Sequence, residues 1–453
     1  MNILIYWFRN DLRLDDNPAF AHACRTGVQL LPVFCHDPAS DQLTPWGFVR
    51  SARHRRDFLN DTLDDLSRQL AARGSCLLQL YGQAQELLPQ LARAIEATGL
   101  VCEAIAAPQE QAEIAALRAA GMTLELFWQS TLLNPADLPF TFERLPDMFT
   151  AFRQAVEKAG VTGRAPEEPP ASVPPLPLLP KLMASLQDAR QRPPAPASAS
   201  TLLRPPPDQR SSFPYQNSAF GGGESAARRH LDRYFSSKLP LSYKTTRNGL
   251  SGIDYSSKFS PWLASGALSP RRTYAALKHF EAEHGANDST YWLWFELLWR
   301  DYFRFLHLKY GRKLYRAQGL GLTTAQDTES RPARSHDEAA FGRWCAGTTG
   351  EPLVDAGMKD LQATGYLSNR LRQIVASYLI HDLGCDWRAG AAWFESQLLD
   401  YDVYSNQGNW LYLAGCGTDP RSGRRFNPQK QARDYDPAGH YQMLWNQGNS
   451  GKP

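Results

Sequence analysis

Cysteine is scarce in this sequence and follows no metal-binding or redox pattern. The 453 residues include seven cysteines, and none of them stands in a Cys-x-x-Cys pair. An odd number of thiols without paired spacing argues against a disulfide scaffold and against an iron–sulfur cluster. We therefore expect reduced thiols and a cytoplasmic location.

Long apolar runs and blocks of one charge are also missing. No stretch of about 18 apolar residues occurs, so neither a transmembrane helix nor a membrane partner is expected. The first residues lack the basic lead-in of a signal peptide. The net charge is only +3, so a nucleic-acid interface would have to come from local clusters of basic residues.

Motifs for phosphate and metal binding are sparse as well. There is no Walker A motif, and the three glycines at 221–223 are interpreted as a flexible helix start rather than as a phosphate loop. Asp400 and Asp402 form the best acidic pair, but no third carboxylate or histidine follows at ligand spacing. No metal is therefore expected.

The first 133 residues alternate short apolar runs with segments of helical spacing. The apolar runs predict buried strands, and the segments between them predict helices on both faces of a parallel sheet, in a Rossmann-like α/β domain. The predicted strands are residues 3–8, 29–34, 76–81, 101–107 and 124–128, and the clearest helical segments are 53–73 and 85–98.

Residues 134–212 are predicted to connect two domains. Nearly half of the 32 prolines fall between 161 and 214, and such a density is incompatible with regular helix or strand. A connector that is free in solution and one that is docked on the protein both fit this composition. From 213 to 453 the pattern is mostly helical and rich in aromatic residues, which predicts an all-α domain.

The segment 254–260 is the best phosphate candidate in the helical domain, and Tyr243 precedes it closely. It supplies Ser256, Ser257 and Ser260, the cation of Lys258, and main-chain N–H groups at a predicted helix start. These groups suit an anion, but a serine-rich helix cap without any ligand is also a common arrangement.

Two helical faces carry polar groups that indicate a ligand pocket. Glu296, Trp299 and Arg300 share one face of a helix that is otherwise aromatic. Burying this carboxylate and this guanidinium without partners is costly, which suggests a pocket for a polar aromatic ligand. A second shared face consists of Asn369, Arg372 and Gln373.

The stretch from Asp400 to Asn406 supplies further polar side chains for such a ligand pocket. Asp400 could pair with Arg372 rather than bind a metal, and Asp402 and Asn406 could then hydrogen-bond a heterocycle that bears N–H groups.

Taken together and in this order, these stretches resemble the photolyase/cryptochrome family, over nearly the whole chain except the connector. The specific pieces are residues 7–18, 269–271, 296–300, 350–355, 369–372 and 400–410. The resemblance implies an N-terminal α/β antenna domain (1–133), a connector (134–212) and an all-α FAD-binding domain (213–453).

The branch is indicated by two substitutions and three further motifs. Gln373 and Tyr412 stand where photolyases that act on double-stranded DNA carry Met and Trp. Together with segments 243–249, 254–262 and 427–437, they resemble the cryptochrome DASH branch. The resemblance implies a photo-lyase that repairs cyclobutane pyrimidine dimers in single-stranded DNA by electron transfer from reduced flavin. The alternative is a blue-light photoreceptor or regulator that binds FAD and nucleic acid without efficient repair.

The resemblance also implies roles for individual residues. The implied FAD contacts are Tyr243, Ser256, Ser257, Lys258, Ser260, Arg300, Asn369, Arg372, Asp400, Asp402 and Asn406, of which Asn406 matches the position facing flavin N5. The implied lesion pocket consists of Glu296, Trp299, Gln373 and Tyr412. The basic run that could follow the DNA or RNA backbone consists of Arg421, Arg424, Arg425, Lys430 and Arg433, interleaved with Phe426 and Tyr435. A solvated loop is the equally open alternative for this run.

The implied electron route is incomplete at its outer end. Trp410 should be nearest to the flavin and Trp387 intermediate, but residues 331–336 contain no Trp, Tyr or Phe where the family has its surface tryptophan. Trp344 is interpreted as a packing residue, and Trp393, Tyr401 or another tyrosine could be the terminal donor.

The antenna site is implied by one carboxylate. Glu110 falls where the family places a contact to 5,10-methenyltetrahydrofolate, although the segment after it is shorter than usual. A monomer is expected.

Overall fold

The apolar runs of the N-terminal part form one parallel sheet, in a computed structural model that describes residues 2–177, 206–321, 336–419 and 423–447. The strand order is β3-β2-β1-β4-β5, and every pairing in it is parallel. The strands are β1 (Ile3–Phe8), β2 (Gln29–His36), β3 (Leu78–Tyr81), β4 (Gly99–Glu103) and β5 (Leu124–Phe127). The predicted α/β class is confirmed, with strand boundaries that differ by a few residues.

Helices cover both faces of this sheet because the strands are apolar on both sides. Ile5 and Trp7 of β1 belong to one buried cluster, whereas Tyr6 and Phe8 belong to the cluster on the other face. This alternation follows from the two-residue period of a strand. The covering helices are α1 (Pro18–Thr26), α2 (Arg53–Ala71), α3 (Ala84–Ile95) and α4 (Pro108–Ala119).

The segment predicted as a connector contains a helix and a docked strap. Helix α5 (Phe149–Lys158) buries Phe149, Phe152 and Val156 in the core of the helical part. The proline-rich residues 161–177 contain neither helix nor strand. They lie along the α/β part, where Leu30 N donates to Pro175 O at 3.0 Å and Glu167 N donates to Asp16 Oδ1 at 2.9 Å. This stretch is therefore docked.

The C-terminal part is helical, as predicted. Its helices are α6 (Glu224–Phe235), α7 (Tyr243–Thr246), α8 (Ser260–Ser265), α9 (Pro270–His284), α10 (Asp288–Tyr310), α11 (Glu338–Ala346), α12 (Pro352–Thr364), α13 (Asn369–His381), α14 (Trp387–Gln397), α15 (Val403–Ala414), α16 (Pro428–Tyr435) and α17 (His440–Asn446). Helix α10 is the longest of those described, and Asn287 begins it with a capping box completed by Thr290. Among the residues that the structure describes, none of the helices combines the length and the apolar character required to span a bilayer.

Buried polar contacts fix the two parts against each other. Asp301 of α10 accepts hydrogen bonds from the main-chain N–H groups of Leu132 and Leu133, at 2.9 and 2.8 Å. Two adjacent ion pairs, Asp15–Arg272 and Asp16–Arg271, have shortest distances of 2.5 and 2.7 Å. Through these ion pairs, segment 7–18 meets Arg271 and Arg272 across the boundary.

Candidate functional site

A cavity of about 420 Å³ opens in the helical part between segment 255–260, helix α10 and the residues around 366–373 and 400–412. It brings together ten of the eleven FAD-contacting residues expected from the sequence, namely Tyr243, Ser256, Ser257, Lys258, Ser260, Arg300, Asn369, Arg372, Asp400 and Asp402. The four residues of the expected lesion pocket line the same cavity, namely Glu296, Trp299, Gln373 and Tyr412. The eleventh FAD contact, Asn406, lines an adjoining cavity of about 80 Å³.

Lys258 is a buried cation in the wall of the cavity and is suited to contact an anion. Its side chain lines the cavity and the residue is only 2% exposed, yet Nζ has no hydrogen-bond partner among the described residues. Its nearest aromatic neighbour is the ring of Tyr255, whose centroid lies 3.3 Å from Nζ. Burial lowers the pKa of Lys258 well below its usual value, and a nearby anion would offset that desolvation. The residue fits the phosphate groups of a dinucleotide.

The backbone of this segment is held in an uncommon conformation. Lys258 has a φ of 58°, in the left-handed region that residues other than glycine rarely adopt. His230 holds this segment in place, because its Nε2 contacts Ser257 O at 2.8 Å. Helix α8 then begins at Ser260, as the sequence predicts.

The ion pair between Arg372 and Asp400 is confirmed. Arg372 Nη2 donates to both carboxylate oxygens of Asp400, at 2.9 and 2.8 Å, and Arg372 Nε donates to Leu367 O. Asp400 is 5% exposed, so this ion pair is buried. The pair forms part of the cavity wall.

Asp402 has a partner that the sequence analysis missed. Arg304 forms a close ion pair with its carboxylate, and Ser405 N donates to Oδ1 at 2.8 Å, so that Asp402 also caps helix α15. Burial alone would raise the pKa of Asp402, but Arg304 and Arg300 hold it down to about 2. The spacing of Arg300 and Arg304, one helical turn apart on α10, was the available signal.

Glu296 is likewise paired, with Arg247. The two side chains form a close ion pair at the cavity wall, and the Arg247 guanidinium lies 5.8 Å from the ring centroid of Trp292. Burial raises the pKa of Glu296, and Arg247 opposes this shift. A carboxyl group held in this way can present an oxygen to a polar ring in the cavity.

Trp299 has one of its ring faces covered. The ring of Phe149 stacks on it with the centroids 3.7 Å apart and the planes 12° apart. Phe149 lies in the segment that the sequence predicted as connector, so no motif pointed to it. Through Phe149, helix α5 holds one wall of the expected lesion pocket.

Trp410 and Trp387 are both buried side chains of the helical core. Trp410 is 1% exposed and meets Phe394 edge to face at 5.2 Å. Trp387 donates from its indole Nε1 to Ala317 O at 3.0 Å. Asn406 lies one turn before Trp410 and donates from Nδ2 to Ala391 O at 3.0 Å, which fixes the orientation of its amide.

Trp344 has the packing role expected of it. Its side chain is fully buried and stacks on Phe394, and its indole Nε1 donates to Val375 O at 2.9 Å. Trp393 is half-buried, lies against Phe48 at 4.9 Å, and its Nε1 has no acceptor among the described residues.

The expected basic run is dispersed rather than continuous. Arg421 lies outside the described residues. The Arg424 guanidinium lies 5.1 Å from the ring centroid of Tyr412, whereas Arg425 pairs with Asp382 at 2.5 Å and Lys430 is exposed at the first turn of α16. Arg424 is thus the member of the run that reaches the expected lesion pocket.

The aromatic residues of this run do not stand free. Arg370 covers both rings, at 5.8 Å from the Phe426 centroid and 4.7 Å from the Tyr435 centroid. Sequence reasoning missed Arg370 although it lies within the motif 369–372.

A third cavity, of about 310 Å³, lies between the two parts of the chain and is lined by Glu110. Glu110 stands in the first turn of α4, and its neighbours in the wall include Arg9, which pairs with Glu113 at 2.7 Å. The rings of His36 and Tyr81 stack at 4.3 Å in the same wall. Glu110, the expected antenna contact, therefore lies in a crevice between the sheet and the helical part.

Comparison with known proteins agrees with this architecture. The family profile described as DNA photolyase matches residues 4–175, and the profile described as FAD binding domain of DNA photolyase matches residues 292–447. The cryptochrome DASH of Synechocystis is 42% identical over 98% of this chain and 87% of its own length. For the cryptochrome DASH of Xenopus laevis the values are 43%, 98% and 82%. A crystal structure of the Synechocystis cryptochrome superposes with a TM-score of 0.88 at 40% identity, over 100% of this chain and 90% of that one.

Proposed function

Because this chain belongs to the cryptochrome DASH branch of the photolyase/cryptochrome family, we propose that it repairs cyclobutane pyrimidine dimers in single-stranded DNA under blue light. The observation that carries the proposal is a single cavity. In it, the unpartnered cation Lys258 and the polar residues expected to hold FAD share walls with Glu296, Trp299, Gln373 and Tyr412.

The residues present fit FAD. Lys258 offers a buried cation without a hydrogen-bond partner among the described residues, which suits a pyrophosphate. Arg372 and Asp400 form a fixed pair of opposite charges in the same wall, and the oriented amide of Asn406 can hydrogen-bond the edge of a heterocycle. Bound and reduced, FAD supplies a light-excited electron donor.

The lesion side of the cavity would bind and orient the substrate. Trp299, backed by Phe149, offers a rigid surface against which an extruded pyrimidine can stack. Glu296, held by Arg247, can hydrogen-bond a pyrimidine edge. Enclosure by these side chains would exclude water from the bound dimer.

A preference for single-stranded DNA follows from the binding free energy that the contacts in this pocket provide. Extruding a paired lesion costs a few kcal/mol, about the energy that one or two good stacking contacts return. Gln373 and Tyr412 stand where double-strand enzymes carry Met and Trp, so this pocket offers less apolar contact. A dimer that is already unpaired avoids the extrusion cost.

Two accessory features belong to the same proposal. Electrons would reach the site through Trp410 and Trp387, with Trp393, Tyr401 or another tyrosine as the terminal donor. The cavity lined by Glu110 would bind 5,10-methenyltetrahydrofolate as the antenna. A cytoplasmic monomer that acts on DNA, and also accepts RNA, remains our expectation.

One assay tests the central proposal. Reduced holoprotein is illuminated with dimer-containing oligonucleotides, single-stranded and duplex, and the restored pyrimidines are quantified. We expect faster repair of the single strand, and Glu296→Gln should slow repair while flavin content stays unchanged. Equal rates on both substrates would refute the strand preference. Retained FAD and nucleic-acid binding without any repair would instead favour the blue-light photoreceptor or regulator.

A further inference from the structure

A fourth cavity adjoins the proposed lesion pocket. Its volume is about 210 Å³, and it shares four ring-bearing residues with the large cavity, namely Phe295, Trp299, Phe303 and Tyr412. These rings form a common wall between the lesion pocket and this fourth cavity. We call the fourth cavity the flank cavity.

The mouth of the flank cavity lies at the surface. Thr150 at the start of α5 and Thr418 after α15 border it, and Arg424 lies beside them. Thr150 and Arg424 are exposed. Asp147, also at the border, accepts hydrogen bonds from Lys309 Nζ at 2.7 Å and from Tyr310 Oη at 2.5 Å. Lys309 therefore offsets the charge of Asp147, whereas Asp419 is a second carboxylate in the lining of this cavity.

The interior of the flank cavity is apolar and aromatic. Besides the shared rings it is lined by Tyr302 and by leucines such as Leu306 and Leu411. For comparison, an engineered apolar cavity of about 150 Å³ binds benzene. The flank cavity is therefore large enough for a planar ring, and its threonine hydroxyls can hydrogen-bond the polar edge of that ring.

We propose that the flank cavity receives the unpaired nucleobase adjacent to the lesion. This inference rests on the proposed function, because it places the dimer on the other side of the Trp299 wall. A strand that leaves the lesion pocket beside Tyr412 passes the mouth of the flank cavity. Arg424, at 5.1 Å from the Tyr412 ring, is positioned to contact the intervening phosphate.

The flank cavity would contribute to strand selectivity. A flanking base in single-stranded DNA is free to turn into the cavity, whereas in a duplex it must first lose its pairing and stacking. Two features would thus act together. The contacts in the lesion pocket offset only part of the free energy that extrusion of a paired lesion costs. The flank cavity adds binding free energy only when the neighbouring base is unpaired.

The test compares oligonucleotides that differ at one nucleotide. Binding of the FAD-loaded protein to a dimer-containing single strand is measured by fluorescence anisotropy, with an abasic nucleotide placed 5′ or 3′ of the dimer. Because stacking of one base contributes about 1–3 kcal/mol, the abasic change on one side should weaken binding roughly tenfold. The same change on the other side should leave the affinity nearly unaltered.

A protein variant tests the location. Thr150→Trp places a large side chain at the mouth, and Thr150→Ser is the matched control, both at an exposed position. We expect Thr150→Trp to lower the affinity for the intact strand to that of the abasic strand, and to leave the affinity for the abasic strand unchanged. Equal binding of all three oligonucleotides by the unaltered protein would overturn the inference, without relying on any variant. So would a Thr150→Trp effect of the same size on intact and abasic strands.

Restored pyrimidines are measured in the same samples, which separates the two proposals. Discrimination against the abasic strand without repair would retain the flank cavity and reject repair. Repair without discrimination would support the repair proposal and reject the flank cavity as a site for a base.

Discussion

At the scale of single residues, the carboxylates of the site are paired with arginines, whereas one buried lysine has no hydrogen bond to a described residue. Asp400 and Asp402 are each held by an arginine, and Glu296 is held by Arg247. Lys258 alone among these buried groups has no hydrogen bond to a described residue. A buried cation in this position is suited to an anionic ligand.

Lys258→Met should therefore release FAD. Loss of one charge-assisted hydrogen bond costs about 1.5–3 kcal/mol, which corresponds to flavin affinity lower by roughly ten- to a hundredfold. The measurement is a titration of apoprotein with FAD, followed by flavin fluorescence. The matched control is Lys278→Met, because Lys278 is half exposed on α9 and pairs with Glu281 away from the cavity. Equal affinities of the two variants would contradict the assignment.

His230 should make stability depend on pH. Burial lowers its pKa from 6.5 to about 4, so between these values the unfolded chain binds more protons than the folded one. Stability is then lost as the pH falls from about 6.5 towards 4, by on the order of 2 kcal/mol for this residue. His230→Gln can still donate to Ser257 O but cannot titrate, and it should flatten the urea-unfolding free energy between pH 7 and 4.5. An unchanged slope, matching that of the exposed control His279→Gln, would contradict this account.

At the scale of helices and strands, local patterns predicted most elements, whereas contacts between elements were mostly missed. The apolar runs located the strands because each run is buried on both faces of a parallel sheet. The pairing of Arg372 with Asp400 was also foreseen from their charges. The partners Arg247 and Phe149 were not, because they depend on how the segments that carry them pack against α10, which no local spacing encodes. Arg304 was missed although its spacing from Arg300 was an available signal.

The packing of α14 against α15 depends on a glycine. A Cβ on Gly390 would lie 2.2 Å from Cη2 of Trp410 and 2.5 Å from Cδ2 of Leu379. Gly390→Ala should therefore displace Trp410 and destabilise the fold by about 1–3 kcal/mol. The measurement is the unfolding free energy together with near-ultraviolet circular dichroism of the tryptophans.

The control for this variant is Gly342→Ala in α11, where a Cβ meets nothing within 4 Å. Replacing glycine by alanine inside a helix should stabilise this control by about 0.5–1 kcal/mol. If both variants were stabilised, the close approach of Trp410 to α14 would not be tight enough to matter.

At the scale of the whole molecule, two cavities lie where different parts of the chain meet, and two, the large cavity and the adjoining cavity lined by Asn406, lie inside the helical part. The cavity lined by Glu110 is formed where the sheet faces the helical part, and Asp301 and the ion pairs of Asp15 and Asp16 join the same two parts. The flank cavity depends on α5, which precedes the proline-rich strap. The shape of both cavities therefore depends on how these parts of the chain pack together.

The proposed electron route from the surface to the flavin would cross the helical core. Trp410 and Trp387 are buried, whereas Trp393 is half-buried beside Phe48. Trp387→Phe should slow photoreduction of the bound flavin strongly, because phenylalanine is much harder to oxidise than tryptophan. Trp393→Phe should slow it only if Trp393 is the terminal donor. The measurement is the rise of reduced flavin absorbance under blue light with an external thiol reductant.

Trp344→Phe is the matched control, since Trp344 is fully buried and serves in packing. It should lower stability but leave the photoreduction rate of the folded fraction unchanged. Photoreduction of Trp387→Phe at the rate of the unaltered protein would exclude the proposed route. If Trp344→Phe slowed photoreduction as much as Trp387→Phe, electrons would instead pass through Trp344 to Trp410, whose ring centroid lies 6.5 Å away.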